Sequence, residues 1–271
     1  MNFFSRRNQI LLKELIKTDF KLRYQGSVIG YLWSILKPIL LFLIMYLVFV
    51  KFMRFGAGTP HFAVSLLLGI TVWNFFSEAT GVGMMSIVGR GDLLRKVNFS
   101  KPVIIFSVVS NAFINLIISL VVVIGFAIIN GVHFSWTVIF AVPLLFELII
   151  FSMGISFILS TAFVYFRDLG PIWEVIMQAG FYGTPIIYPV TQISSHPHYY
   201  WVAQLQMLNP MAQIVQDMRY VLTYSNNTNP TLWQMWHNPF VIVIPYILPF
   251  IIFAFGLWIF TKNSKRFAEI I

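Results

Sequence analysis

The chain has 271 residues, of which 58% are hydrophobic and only 10% are charged. A typical soluble domain carries about 25% charged residues. This composition, with a mean hydropathy of +0.81, excludes an ordinary soluble globule and a disordered chain. Because cysteine is absent, disulfide scaffolds and thiolate metal sites are also excluded. The fold class that remains is an all-α integral membrane protein.

Residues 1–30 are basic, and their apolar side chains recur with helical spacing. This spacing predicts a cytoplasmic amphipathic helix that lies in the membrane surface. The alternative is a basic tail that only sets topology. The apolar side of the helix holds Leu11, Leu12, Leu15, Ile16 and Phe20, and the opposite side holds Gln9, Lys13, Lys17 and Lys21.

Residues 31–271 read as a single transmembrane domain with six spans. Each span needs about 20 mostly apolar residues to cross the hydrocarbon layer as a helix. The runs are long and continuous, whereas strands of a membrane β-barrel would be short and alternating. The predicted spans are Leu32–Met53, Phe62–Ser86, Val103–Ile129, Trp136–Phe166, Pro171–Val190 and Phe240–Thr261.

The basic residues predict the orientation of these spans. With a cytoplasmic N-terminus, most of the 18 Lys and Arg residues face the cytoplasm, and only Lys51, Arg54 and Arg219 fall outside. This asymmetry follows the positive-inside rule and leaves both termini cytoplasmic. The net charge of +9 is accounted for by topology and anionic membrane lipids, so no nucleic-acid partner is needed.

The segment 191–239, between the last two spans, is predicted to lie outside and to form an outer gate region. It is too apolar for a free loop, and Asn209-Pro210 divides it, which is typical of a helix start. Two short re-entrant helices fit this pattern; the alternative is a surface cap with no gating role. We expect Trp201–Tyr224 to pack into the outer mouth, with Arg219 held by a backbone carbonyl, Asp217 or Asn209.

The sequence carries no motif for catalysis, and no catalytic residue is predicted. There is no G-x-x-x-x-G-K-[ST] phosphate loop, so the chain is not expected to hydrolyse ATP by that route. No metal-binding motif is present, and neither a metal nor a cofactor is expected in this chain. Three acids, Glu78, Glu147 and Glu174, fall within spans, where each either belongs to a proton path or hydrogen-bonds a neighbouring helix.

Polar residues recur every four positions in two of the spans. Such a stripe either packs helices together or forms a hydrated wall for a polar substrate. The spacing favours packing for the serine set of the fourth span and leaves both interpretations open for the third. The third span carries Ser107, Asn111, Asn115 and Ser119, and the fourth carries Ser152, Ser156 and Ser160.

The loop 87–102 is the longest cytoplasmic link and is predicted to contact a partner. Asp92 is expected to cap a short helix there. Leu93, Leu94 and Val97 would form an apolar patch beside Arg95 and Lys96, suited to a groove on another protein. The alternative is a basic loop that only enforces topology, but topology requires charge and not leucine.

Four strings in a fixed order resemble the membrane subunits of ABC transporters that export bacterial surface polysaccharide. Their order along most of the chain is more specific than any one of them. They are RYQGSVIGYLWSILKP at 23–38, YFRDL at 165–169, TPIIYP at 184–189, and LNPM at 208–211 followed by Arg219.

The resemblance implies a permease half-transporter that forms a homodimer and binds two copies of a cytoplasmic ATPase, which would hold ATP and Mg²⁺. The substrate class it implies is glycan linked to undecaprenyl diphosphate (O-antigen, capsule or teichoic acid), exported across the bacterial cytoplasmic membrane. Asn111, Asn115, Tyr188 and Trp201 are candidates for the substrate path. Lys21, Arg23 and Lys37 are candidates for the lipid diphosphate, with anionic-lipid contact as the alternative explanation.

Two alternatives remain open at this point. One is an ABC permease of the same architecture that exports a drug or a small lipid. The other is a membrane-embedded glycosyltransferase acting on polyprenyl phosphate, which would need acidic residues grouped at a membrane face. The acids of the cytoplasmic loops, Asp92 and Asp168, are far apart in sequence and form no such pair.

Overall fold

The computed structural model describes residues 5–24, 30–54, 59–223 and 230–270. Within these ranges the regular elements are helices, and the extended segments between them form no sheet. The α-helices, in chain order, are α1 (Arg6–Tyr24), α2 (Trp33–Met45), α3 (Phe62–Met85), α4 (Gly91–Lys96), α5 (Pro102–Ile129), α6 (Ala141–Tyr165), α7 (Leu169–Gly183), α8 (Thr191–Ser194), α9 (Tyr200–Gln206), α10 (Pro210–Thr223), α11 (Leu232–Met235), α12 (Pro239–Asn263) and α13 (Phe267–Ile270).

Five helical segments of the described chain are long and apolar enough to cross a membrane. They agree with five of the six predicted spans to within a few residues. α2 continues through a π-helical turn at Tyr46–Phe52, and α6 is preceded by a 3₁₀ turn at Trp136–Phe140. The five segments are Ile35–Phe52, Phe62–Met85, Pro102–Ile129, Trp136–Tyr165 and Pro239–Asn263.

The remaining predicted span, Pro171–Val190, is shorter as a helix than the sequence suggested. α7 has 15 residues, about 22 Å at 1.5 Å per residue, against a hydrocarbon thickness of about 30 Å. It ends at Gly183 because Pro185 disfavours a helical conformation in Thr184, which is extended at φ −88° and ψ 138°. The chain continues as an irregular segment to α8.

The bundle has two distinct ends. The basic end carries the loop 86–101 between α3 and α5, and the cap end carries α8–α11. At the basic end the Ser100 backbone N–H donates to Asn8 Oδ1 of α1 (3.3 Å), and the Tyr165 hydroxyl donates to Asn263 Oδ1 of α12 (3.3 Å). The first helix and the end of α12 therefore lie at the same end of the bundle.

The amphipathic helix predicted near the N-terminus is present as α1. Leu11, Leu12 and Leu15 are half-buried against the core, because this face packs along α5. Lys13 and Lys17 on the other face are exposed. The periodic leucines thus serve helix packing as well as any contact with lipid.

Small residues bring the helices of the bundle close together. A Cβ added to Gly154 of α6 would lie 2.6 Å from the Phe253 backbone nitrogen of α12, and one added to Gly256 would meet the Gly154 carbonyl. On another face of α6, Ser156 Oγ donates to the Ala79 carbonyl of α3 (3.0 Å). Ser152 and Ser160 are also fully buried, so the serine stripe of α6 packs helices, as its spacing favoured.

Candidate functional site

A cavity of about 600 Å³ opens between α2, α3 and α5. One wall is the polar face of α5, the second is the exposed polar side of α3, and the third is the start of α2. Its lining is mixed, with indole, ammonium, carboxylate, amide and hydroxyl groups among aliphatic side chains. The lining residues are Trp33, Lys37, Pro38, Leu41, Leu67, Ile70, Thr71, Asn74, Ser77, Glu78, Asn115 and Ser119.

Two residues that the sequence assigned to different roles meet in this cavity. Asn115 was a candidate for the substrate path and Lys37 for the lipid diphosphate, and both line it. Asn115 Nδ2 donates to Glu78 Oε1 (2.9 Å), so the amide orients a carboxylate at the cavity wall. Asn115 therefore packs α5 against α3 and also lines open space, while its place in a substrate path stays a prediction.

A second cavity of about 250 Å³ lies next to the first, toward the basic end. Glu78 lines both cavities, and the smaller one is closed on the other side by Asp19 of α1. Asn111 also lines it, is 7% exposed, and donates from Nδ2 to Asp19 Oδ2 (3.4 Å). Asn111 Oδ1 is buried without a hydrogen-bond partner, so this amide can accept one more donor.

An ion pair between Asp19 and Arg90 connects α1 to the loop that precedes α4. Arg90 also donates from Nη1 to Ser107 Oγ of α5 (2.9 Å). Sequence reasoning missed the contacts of Arg90 with Asp19 and Ser107, because it counted Arg90 only among the basic residues that set the topology. A signal was available: Asp19 follows Leu12 by seven positions and Leu15 by four, which puts a carboxylate on the apolar face of α1.

The short helix predicted in the loop 87–102 is present as α4, but its buried and exposed faces differ from the prediction, and its contact with a partner stays a prediction. Leu94 is 7% exposed and belongs to the core of the bundle, and Leu93 is half-buried against that core. Asp92, Arg95 and Lys96 are exposed. The predicted cap at Asp92 is wrong, since Arg90 occupies the N-cap position and Asp92 lies in the first turn, where its charge favours the helix dipole.

At the cap end, α9 and α10 are separated at Asn209-Pro210 as the sequence predicted. Asn209 Oδ1 accepts from the Met211 backbone N–H (3.0 Å), which satisfies one free donor of the helix start. Pro210 begins α10 and is buried, as is nearly the whole of the helix. α10 therefore does not lie free on the surface; it is inserted among α3, α6 and α12.

Arg219 fixes α10 within the bundle. It is 1% exposed, and its guanidinium donates to the carbonyls of Ser65, Pro185 and Ile186, the first from Nε at 3.0 Å. The expected contact with a backbone carbonyl is thus present, whereas Asp217 and Asn209 have other partners. The carbonyl of Pro185 is free to accept because α7 has already ended.

The other predicted site residues lie apart from the two cavities. Tyr188 accepts from Gln206 Nε2 (2.9 Å) and donates to the Tyr182 carbonyl (3.2 Å), and Trp201 is exposed on α9. Lys21 is exposed on α1, and the side chain of Arg23 lies outside the described residues. The structure therefore does not bring Tyr188 and Trp201 together with Asn111 and Asn115 along the lining of either cavity.

The described chain is a bundle with five candidate membrane spans and a polar cavity between them, and polar groups inside such a bundle mark substrate or ion pathways. The sequence pattern described as ABC-2 type transporter matches residues 10–223. The chain belongs to this family. It is accordingly the membrane subunit of an ABC transporter and not itself an enzyme.

Curated relatives resemble the chain over most of its length. It is 31% identical to the O-antigen export system permease protein RfbA of Klebsiella pneumoniae over 262 residues. These aligned residues cover 96% of this chain and 95% of the relative. A second protein of that name from the same organism is 30% identical over the same shares. A Myxococcus xanthus protein of that name is 33% identical over 212 residues, 78% of this chain and 79% of the relative.

Proposed function

We propose that this permease exports polysaccharide linked to undecaprenyl diphosphate across the bacterial cytoplasmic membrane. The names of the relatives, all O-antigen export permeases, support the substrate class. The observation that carries the proposal is the cavity between α2, α3 and α5, where Trp33, Lys37 and Asn115 share one lining. An apolar lining alone would suit a drug or a small lipid better.

Each group of this lining matches a part of such a substrate. The Trp33 indole offers a face for a sugar ring, and the Asn115 amide and Glu78 carboxylate offer hydrogen bonds to hydroxyl groups. Lys37 is exposed and supplies a cation for a phosphate oxygen. We assign the lipid diphosphate to Lys37, with Lys21 and Arg23 at the membrane surface, and the glycan to Asn111 and Asn115.

The topology we propose has six spans, with the basic end in the cytoplasm. A Cβ added to Gly170 of α7 would lie 3.9 Å from Met85 Cε at the basic end. A Cβ added to Gly180 would lie 2.8 Å from the Trp73 ring. Ile186 then reaches the level of Gly69 near the cap end. α7 together with Thr184–Ile186 thus extends along about 16 residues of α3, roughly 24 Å, which supports a sixth crossing completed by an irregular segment.

We propose that two copies of the chain assemble and that each receives a cytoplasmic ATPase subunit, which binds ATP and Mg²⁺. Energy enters through α4, whose exposed face consists of Asp92, Arg95 and Lys96, with Leu93 at its edge. The buried Leu94 connects that contact to the core of the bundle. The ion pair between Arg90 and Asp19 also connects this contact with the ATPase to α1.

At the cap end, α9 and α10 are proposed as the outer gate, re-entrant from the outside. The buried start of α10 at Asn209-Pro210 and the carbonyl contacts of Arg219 hold the gate closed. Tyr188 and Trp201 lie on the outer part of the path, where aromatic faces can guide sugar rings without binding them tightly.

The experiment is deletion of the gene followed by complementation, with surface glycan and lipid-linked glycan measured separately. The wild-type gene restores surface glycan, while Asn115→Leu with Lys37→Ala leaves lipid-linked glycan inside although the protein still assembles with its ATPase. Asn130→Leu, an exposed asparagine at the end of the same helix, serves as the matched control. Normal surface glycan in the deletion strain, or in the double variant, would contradict the proposal.

A further inference from the structure

Two acidic side chains are buried between α6, α10 and α12 at the cap end. Glu147 is 6% exposed and Asp217 is 7% exposed. Asp217 Oδ2 accepts from the Tyr246 hydroxyl (2.6 Å) and from Gln213 Nε2 (2.8 Å). The two acids lie within electrostatic range of each other, although one is on a long span and the other on the buried helix α10.

Acceptor oxygens in this cluster outnumber its donors. Glu147 Oε1, Asp217 Oδ1 and Gln213 Oε1 are all buried without a hydrogen-bond partner, and Gln213 is fully buried. Buried polar atoms in proteins are normally paired, and leaving one unpaired costs about 1–3 kcal/mol. Each of these three oxygens therefore lacks a donor hydrogen to accept.

The neighbouring helices supply no cation to neutralise the pair in the described part of the chain. From α12 the pair is faced by Tyr246, whose hydroxyl also accepts from Trp233 Nε1 (3.1 Å). On α10, Arg219 is turned toward the carbonyls on the α3 side. The segment before α6 contributes Thr137, which donates to the Val221 carbonyl (3.2 Å). Two ionised carboxylates would therefore repel each other in a site of low dielectric constant.

We propose that Glu147 and Asp217 form a proton-binding site that holds α10 in the bundle. Asp217 remains ionised, because its Oδ2 already accepts two donors, and Glu147 carries the proton. The Glu147 hydroxyl donates to one of the two unpartnered oxygens, Asp217 Oδ1 or Gln213 Oε1. Loss of this proton leaves two negative charges facing each other and favours release of α10. The inference does not depend on which substrate is exported.

The direct test is infrared spectroscopy of the purified permease with its ATPase, which resolves protonated carboxyl groups from carboxylates. We expect a protonated carboxyl band at neutral pH in the wild type that is absent in Glu147→Gln. Glu174→Gln, an exposed acid on α7, is the matched control and keeps the band. If Glu147→Gln does not fold, Asp217→Asn must shift the band, because it changes the group next to the proton. Absence of the band in the wild type, or a band unaffected by both variants, would overturn the proposal.

A second readout is the thermal stability of the complex as a function of pH. A carboxyl that is protonated in the folded bundle and ionised in the unfolded chain makes stability fall as pH rises above about 4.3, the ordinary pKa of Glu, until the folded carboxyl itself ionises. Glu147→Gln should abolish this part of the pH dependence, since the amide carries no charge, and Glu174→Gln should not. A wild-type stability that responds to sodium or potassium instead of pH would show a metal cation in the site and contradict the proposal.

Discussion

At the scale of single residues, Arg219 shows how a buried cation is held without a carboxylate partner. Its guanidinium donates to three backbone carbonyls from two elements, at Ser65 and at Pro185-Ile186. The carbonyls of Pro185 and Ile186 are available because α7 has ended, whereas Ser65 lies within α3 and its carbonyl accepts from Arg219 with its second lone pair. One side chain thus joins α10 to both neighbours, and the planar fork of arginine suits this divergent set of acceptors better than an ammonium group would.

We predict that Arg219→Ala strongly destabilises the bundle, by about 3 kcal/mol or more, because it leaves buried carbonyls unpaired. Arg219→Lys should recover only part of this loss. The measurement is the thermal midpoint of the purified protein in detergent. Arg266→Ala, at an exposed arginine after α12, is the control for loss of a positive charge. An equal thermal midpoint for Arg219→Ala and this control would contradict the stabilising role of the Arg219 carbonyl contacts.

Leu93 and Leu94 show what the sequence could and could not predict at this scale. The sequence identified a short helix with two leucines, but adjacent residues on a helix point about 100° apart, so the two side chains meet different surroundings. Leu94 faces the core, and the exposed surface of α4 consists of Asp92, Arg95 and Lys96. Which of two neighbouring leucines is buried depends on packing against other helices, and no local pattern contains that information.

We therefore expect the two faces of α4 to respond differently to mutation. Arg95→Glu with Lys96→Glu should leave the bundle stable but lose the co-purified ATPase, since the exposed charges are inverted. Leu94→Asp should instead lower the stability of the bundle itself, by about 3 kcal/mol, because a charge enters the core. Thermal stability and co-purification of the ATPase are measured for each. If the charge-inverted variant keeps the ATPase, the proposed contact between α4 and the ATPase is contradicted.

At the scale of helices, the crossing of α6 and α12 depends on two glycines. The Gly154 carbonyl occupies the position that a Cβ on Gly256 would need. In a membrane, helices associate through close packing and not through exclusion of water, so such small residues carry much of the contact. The serine stripe on α6 serves the same purpose against α3.

We predict that Gly256→Val separates α6 from α12 and costs about 1–3 kcal/mol of stability. Gly125→Val is the matched control, because an added Cβ at Gly125 of α5 meets nothing within 4 Å. The measurement is the midpoint of denaturant unfolding for both variants. Equal midpoints would show that the crossing tolerates the added side chain.

The ion pair between Asp19 and Arg90 makes α1, α4 and α5 one connected unit at the basic end. We predict that Arg90→Asp uncouples ATP hydrolysis from export, because the loop before α4 loses its contact with α1. Combining it with Asp19→Arg should restore much of the coupling, since the opposite charges again face each other. The ratio of glycan exported to ATP hydrolysed is the measurement. Lys17→Asp, an exposed site on α1, should leave that ratio unchanged, and failure of the charge exchange to improve on Arg90→Asp would contradict the link.

At the scale of the whole molecule, the number of membrane crossings was predictable only in part. Five spans follow from continuous apolar runs of sufficient length, which hydropathy detects. The run at 171–190 is less apolar, since it contains Glu174 and Gln178, and its helix ends at Gly183 because a proline follows. The cavity between α2, α3 and α5 was even less accessible to sequence reasoning, because Lys37, Glu78 and Asn115 come from three helices whose pairing no local pattern specifies.

The central claim is that the chain is the passive membrane half of an exporter driven by a separate ATPase. The most direct measurement is transport of lipid-linked polysaccharide into vesicles reconstituted with the permease alone, with its ATPase, and with ATP added. We predict transport only when the permease, the ATPase and ATP are all present, and a loss of transport in Asn115→Leu with Lys37→Ala. Transport by the permease without the ATPase, or a complete complex that hydrolyses ATP but does not move the glycan, would contradict the account.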